Sequence, residues 1–247
     1  MTASFLGEDY LEIRDLTVDF DGFKAVKNAD LTFQQGRLHF LIGPNGAGKT
    51  TLVDALTGLV RGTGRAEFRG RNLLDMKSHK IVRLGIGRTF QTATVFEQLT
   101  VLQNLDIAAG LHRRTARLLL ARGKVPERVE EALETTGLSA LAHRPAGILA
   151  HGQKQWLEIG MLLMQEPRLL LLDEPAAGMT DDETARTAEL FNQLAGSHTL
   201  VVVEHDMDFI ASIARTVTVL HEGSVLAEGP MDVVKNDERV IEVYLGR

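Results

Sequence analysis

The 247-residue sequence predicts an α/β fold built on a mainly parallel sheet. Three observations point there. Short continuous apolar runs at residues 38–42 and 169–172 suit strands buried on both faces. Segments with helical spacing follow them, at residues 49–57 and 180–194. A glycine-rich stretch separates the first such strand from its helix, the place where open α/β sheets bind ligands.

The other elements follow in order. Residues 10–20 alternate apolar and polar side chains, with a slip near Asp15, and read as a strand. Asp21-Gly22 turns the chain into a second strand over residues 25–33. Gly58 stops the first helix. Residues 67–69 read as an edge strand closed by Gly70. Residues 101–149 are mostly helical in pattern, with breaks at Gly110, Gly123, Gly137 and Pro145. Residues 153–165 form an apolar helix ended by Pro167. Thr180 and Glu183 make the T-x-x-E capping box of the next helix. Strands at residues 199–203, 217–220 and 224–227, a helix at 207–214 and a helical tail from Met231 complete the pattern. The middle, residues 91–164, has few strand signals and reads as a helical subdomain inserted into one α/β domain formed by residues 1–90 and 165–247.

Composition narrows the function. Hydrophobic residues make up 44% and charged residues 24%, as in a folded globular chain. There is no cysteine, which excludes disulfides, thiolate nucleophiles and cysteine-ligated metals. A net charge of −6 argues against nucleic acid as partner. No window approaches the ~18 uninterrupted apolar residues of a membrane span. The first ten residues carry Glu8 and Asp9 and no apolar core, so a secretory signal is not expected.

Gly43-Pro44-Asn45-Gly46-Ala47-Gly48-Lys49-Thr50 fits G-x-x-x-x-G-K-[ST] at every fixed position, between a strand and a helix. Glycines let successive N–H groups curl inward around an anion, and the helix N-terminus adds its positive dipole end. Lys49 is expected on the β- and γ-phosphates, Thr50 on Mg²⁺, and Thr51 near the α-phosphate. A chance lysine in a glycine turn is the bland alternative, and the strand–loop–helix context argues against it.

The run 169–175, Leu-Leu-Leu-Leu-Asp-Glu-Pro, places two carboxylates at the end of a buried strand. Asp173 is expected to hold Mg²⁺, and Glu174 to polarise the attacking water as general base. Alone, the pair could be an inert acidic exit from a strand. Beside a complete phosphate loop that reading is minor.

The combination resembles an ATP-binding cassette (ABC) ATPase subunit along nearly the whole chain. Gln91 follows Arg88-Thr89-Phe90 as in that family's Q-loop, and Leu149-Ala150-His151-Gly152-Gln153 stands where its LSGGQ signature lies. Ala177-Gly178-Met179-Thr180 occupies the D-loop place, His205 the switch-histidine place, and Phe20 the place of an adenine-stacking ring. Residues 85–91, 96–105 and 244–246 are similar to the branched-chain amino-acid importer branch; residues 151–156 and 177–180 are closer still to its urea-importer ATPase subunit.

The resemblance implies a P-loop NTPase with an antiparallel β subdomain beside the parallel core and the helical insert. It implies ATP and Mg²⁺ as cofactors, with Gln91 among the metal and catalytic contacts and His205 sensing the γ-phosphate. Two such chains, identical or sibling, would pair head to tail. Asn45–Thr51 of one would face Ala150, Gly152 and Gln153 of the other across each nucleotide. The pair would drive a separate transmembrane permease, fed indirectly by a solute-binding protein, from the cytoplasmic face of the membrane. The solute implied is urea or a short amide, with a branched-chain amino acid next. The competing functions are a soluble non-transport ABC ATPase and a low-turnover, nucleotide-gated regulatory module.

The sequence departs from the signature twice: Ala150 stands where the family usually has serine, and His151 where it has glycine. Three assignments have bland counterparts. Phe20 could face the core instead of adenine, His205 could be an ordinary loop histidine, and Met161, Met164 and Trp156 read most simply as core or subunit-contact residues. The basic stretch from Arg113 to Lys124 reads as a solvated face.

Overall fold

A computed structural model describes residues 11–90, 94–110 and 127–245. The first strands are β1 (Leu11–Phe20), β2 (Phe23–Phe33) and β3 (Leu38–Ile42), followed by α1 (Lys49–Leu56). Next come β4 (Thr63–Phe68), β5 (Arg71–Asn72), α2 (Ser78–Leu84) and β6 (Ile86–Arg88). The helical part holds α3 (Val101–Ala109), α4 (Glu127–Thr136) and α5 (His151–Leu163). The chain closes with β7 (Leu169–Asp173), α6 (Asp181–Leu194), β8 (Thr199–Val203), α7 (Met207–Ile213), β9 (Thr216–His221), β10 (Ser224–Gly229), α8 (Met231–Val234) and α9 (Glu238–Leu245).

Six strands form the main sheet in the order β10-β9-β3-β8-β7-β6, parallel except for the edge strand β10. β3, β7 and β8 are buried at every position because they lie inside this sheet with both faces covered. Their side chains alternate between two cores. Phe40, Leu170, Leu172, Leu200 and Val202 face a cluster that includes Trp156, Leu157 and Phe191. Leu41, Leu169, Leu171, Val201 and Val203 face a cluster shared with α1 and the second sheet.

That second sheet is antiparallel, in the order β2-β1-β4-β5. The slip in β1 is a bulge between Ile13 and Leu16, with Asp15 at a φ of 50°. Here the expectation for residues 67–69 needs correcting. They do not form an edge strand: β4 pairs with β1 on one side and β5 on the other. Arg69 and Gly70 both have positive φ, as in a tight hairpin turn, and the two-residue β5 is the edge. Such a strand is too short to show alternation. α2 and β6 were likewise not expected; a seven-residue helix and a three-residue strand give almost no periodic signal.

α5 begins at His151, two residues before the sequence pattern placed it. Gln153 explains this: its side-chain oxygen accepts the N–H of Ala150, which closes the first turn early. The Thr180–Glu183 capping box of α6 forms in both directions. The basic stretch 113–124 lies outside the described residues. Among those residues no helix is long and apolar enough to cross a membrane.

His39, on β3, is buried against Phe33, and its Nε2 accepts the Gln34 N–H at 3.0 Å. Burial pushes its pKa down from the usual 6.5 to about 4. Between those values the unfolded chain binds a proton that the folded chain refuses, so stability falls as pH drops from 6.5 toward 4. Glu158 opposes this, since burial raises its pKa to about 7. His39→Gln keeps an acceptor for Gln34 without a titration. Between pH 7 and 4.5, urea unfolding of the wild type is expected to lose about 2–3 kcal/mol more than that of the variant. Equal losses would show that His39 does not carry the effect.

Candidate active site

The carboxyl ends of β3, β7 and β8 meet at one edge of the main sheet. Register places Leu41, Val203 and Asp173 in one row, so the residues just beyond them share that edge. Those residues are the phosphate loop, Glu174 and Glu204-His205. This is where a parallel sheet exposes its binding crevice.

The phosphate loop is held by close backbone packing. Gly43, Gly46 and Gly48 have φ values of 149°, 79° and 99°. A Cβ on Gly43 would lie 2.1 Å from the Leu220 carbonyl oxygen, and one on Gly48 2.3 Å from that of Ala25. β2 and the end of β9 therefore press directly on the loop. The Ala47 N–H donates to the Pro44 carbonyl at 3.1 Å, and the Gly223 N–H to the Ala47 carbonyl at 3.0 Å. Asn45 and Gly46 stay exposed while Ala47 is buried. Thr50 is exposed and Thr51 half-buried on the first turn of α1. That turn holds no acidic residue, and Gly48 offers no side-chain cap, so its N–H groups are left for an anion.

Lys49 is buried, and its ammonium donates to the Gly43 carbonyl at 2.7 Å and the Pro44 carbonyl at 3.1 Å. Burial lowers its pKa, and the charges of Glu174 and Asp173 pull it back up. Asp173 is buried. Its N–H donates to the Thr89 hydroxyl at 3.1 Å, and its Oδ2 lies 3.4 Å from the Arg88 guanidinium. Its Oδ1 is buried without a hydrogen-bond partner. Burial raises the Asp173 pKa, and Arg88 counters that rise. An orphaned carboxylate oxygen beside a phosphate loop fits a hard divalent cation such as Mg²⁺, with the Thr50 hydroxyl as a second oxygen donor.

Glu174 leaves the strand at a φ of 48°, a strained conformation for a non-glycine residue, fixed by its N–H donating to the Val203 carbonyl at 2.9 Å. Its carboxylate is half-buried, with Oε1 3.8 Å from His205 Nδ1. His205 is exposed and stands equally 3.8 Å from Glu204. Phe20 is 48% exposed at the end of β1, which excludes the core-facing alternative. Gln91 lies outside the described residues.

Ala150, Gly152 and Gln153 form the start of α5, with Ala150 exposed, Gln153 half-buried and Gly152 buried. Gln153 closes this turn on Ala150, Gly152 packs on α6, where a Cβ would lie 2.7 Å from Glu183 Oε1, and His151 reaches Ala177 in the loop after Glu174. Trp156, one turn further, is buried and donates to the Thr187 hydroxyl at 2.9 Å. It is a core residue.

A family model described as ABC transporter matches residues 26–177, and one described as branched-chain amino acid ATP-binding cassette transporter matches residues 224–247. The high-affinity branched-chain amino acid transport ATP-binding protein BraF of Pseudomonas aeruginosa is 38% identical, over 96% of this chain and 97% of its own. LivG of Salmonella typhimurium, named for the same transport, is 36% identical over 98% and 99%. The crystal structure of an ABC transporter's ATP-binding cassette in its ADP conformation superposes with a TM-score of 0.83 at 30% identity, covering 97% of this chain and 99% of that one. This chain belongs to the ABC transporter ATP-binding subunits, in the branched-chain amino-acid importer family. It is a nucleotide-binding, ATP-hydrolysing subunit with the P-loop fold of that family.

Sequence reasoning missed several residues of this ABC ATPase site. Arg88 spans α1 and β7, donating to Asp54 at 2.5 Å and to Thr57 at 3.1 Å while facing Asp173. Glu204 is buried and accepts N–H groups from Ala176 at 2.9 Å and His205 at 3.0 Å, so it ties the general-base loop to the His205 loop. Glu158 is buried on α5 and accepts from the Thr94 N–H at 3.4 Å. Nothing in a single sequence separates such buried carboxylates from solvated ones; each lies next to a motif, and that is the only available signal.

Proposed function

We propose that this subunit hydrolyses ATP at Glu174 to power import of a small polar solute through separate permease subunits, from the inner face of the cell membrane. The observation that carries the chemistry is the meeting of Lys49, Asp173 and Glu174 at one sheet edge. The loop N–H groups and Lys49 hold the β- and γ-phosphates, while Glu174 accepts a proton from the attacking water. Asp173 and Thr50 would hold Mg²⁺, which supplies charge neutralisation on the phosphate oxygens when bound. Gln91 and His205 would report the γ-phosphate state. Phe20, exposed beside the phosphate loop's β2 wall, stacks the adenine ring.

Two copies, or one copy and a sibling, pair head to tail. Ala150, Gly152 and Gln153 then cap the partner's nucleotide with the start of α5. Residues 1–90 and 165–247 form the nucleotide-binding core, and 91–164 the part that meets the permease. A solute-binding protein delivers the cargo. Urea or a short amide is the cargo supported by residues 151–156 and 177–180. A branched-chain amino acid is the second reading, favoured by the names of BraF and LivG. Deletion followed by uptake of labelled urea and labelled leucine tests this, together with proteins co-isolated from the native membrane. Loss of neither uptake would overturn both cargo assignments. Isolation without a permease would favour a soluble ABC ATPase.

Ala150 lacks the hydroxyl that a serine there would give to the partner's γ-phosphate. A hydrogen bond to a charged acceptor contributes about 1.5–3 kcal/mol. Ala150→Ser is therefore expected to raise ATPase turnover in the assembled complex, by about ten- to a hundred-fold if the bond forms only in the closed state. An unchanged or lower rate would count against that role.

A further inference from the structure

His151 connects two functional segments. Its Nε2 lies 3.0 Å from the carbonyl oxygen of Ala177, in the loop that follows the general base Glu174. A carbonyl can only accept, so Nε2 carries the proton and donates. This fixes the tautomer of a neutral ring, and a charged ring keeps the same donor. The bond therefore survives in either protonation state. The imidazole also lies over Gly178: a Cβ there would be 3.9 Å from its Cδ2.

The loop it holds is pinned along its length. Glu174 is anchored through its N–H to Val203, and Ala176 through its N–H to Glu204. Thr180 closes the loop, with its N–H and hydroxyl both donating to Glu183 Oε2 at 3.0 and 3.1 Å. Glu183 in turn backs directly onto Gly152, the neighbour of His151. The start of α5 and the loop from Glu174 to Thr180 thus form one mechanical unit, and the His151 side chain is its polar cross-link. Glycine, the usual occupant of this position in the resembled signature, has no side chain to reach Ala177.

We propose that His151 is a positioning residue that locks the signature turn to the loop after Glu174, so that a partner's nucleotide docking on α5 shifts the general base of the same chain. The proposal rests on the head-to-tail pairing described above. It links the two ends of one subunit: the surface that caps the partner's nucleotide and the carboxylate that takes the proton from the water attacking its own. The cross-link is a hydrogen bond of ordinary length, so displacing one segment without the other would break it.

The test uses the full chain and the permease complex with His151→Ala and His151→Gln. A glutamine amide can place a donor near the position of Nε2 and is expected to rescue. In the single chain, hydrogen exchange at the Ala177 and Met179 amides should quicken about fivefold in the alanine variant and return toward wild type in the glutamine variant. In the complex, kcat should fall about fivefold in the alanine variant with KM for MgATP changed less than twofold, again restored by glutamine. MgATP affinity of the isolated chain should not change. Unaltered exchange in the alanine variant, or a glutamine variant no better than alanine, would overturn the cross-link. If MgATP failed to pair Glu174→Gln subunits in the complex, the pairing itself would fall, while the exchange result on the single chain would still decide the contact.

Discussion

Glu174→Gln is expected to lower ATP turnover by on the order of a hundred- to a thousand-fold while leaving MgATP affinity within a few-fold of wild type. The reason is geometric. The Glu174 backbone is held at a φ of 48° by the Val203 carbonyl, so its carboxylate leaves the sheet beside the Lys49 loop instead of following the strand. Glutamine keeps the shape, but its amide cannot take the proton that water must lose. None of Asp173, Lys49 and His205 replaces the carboxylate as a base. Single-turnover phosphate release in the assembled complex measures the effect. A fall of less than about tenfold would move the general base elsewhere.

Lys49→Met is expected to weaken MgATP binding by about ten- to a hundred-fold, the loss of one charge-assisted contact of about 1.5–3 kcal/mol. Methionine retains an apolar stem for the buried channel and removes only the ammonium. The variant also frees the Gly43 and Pro44 carbonyls that Lys49 now satisfies, so a modest fall in melting temperature accompanies the lost affinity. Titration calorimetry on the folded variant separates the two effects. Affinity within threefold of wild type would show that the main-chain N–H groups hold the triphosphate without help.

Much of this molecule was legible in its sequence, for identifiable reasons. β3 and β7 are apolar runs broken only by His39 and the terminal Asp173, because both sheet faces are covered, and such runs are visible without a structure. The phosphate loop and the Asp173-Glu174 pair are contiguous, so their chemistry is written in consecutive residues. Contacts made across the fold left no such trace. Arg88 reaches Asp54 and Asp173 from residues 34 and 85 positions away. Glu204 looks like one more acid beside His205 until the Ala176 N–H is placed on it. β5 fell below the length at which alternation can be read, and the early start of α5 depended on where the Gln153 side chain turned.

The ammonium of Lys49, resting on two carbonyls of its own loop, bears on which anions the site will accept. Two of its three N–H donors are taken by those oxygens, so a guest gains the full cation only by displacing them, and a ligand dense in negative charge and bristling with acceptors gains most. A triphosphate brings more charge and more acceptors than a single phosphate, so the loop favours polyphosphate chains before the base, the sugar or a second subunit is consulted.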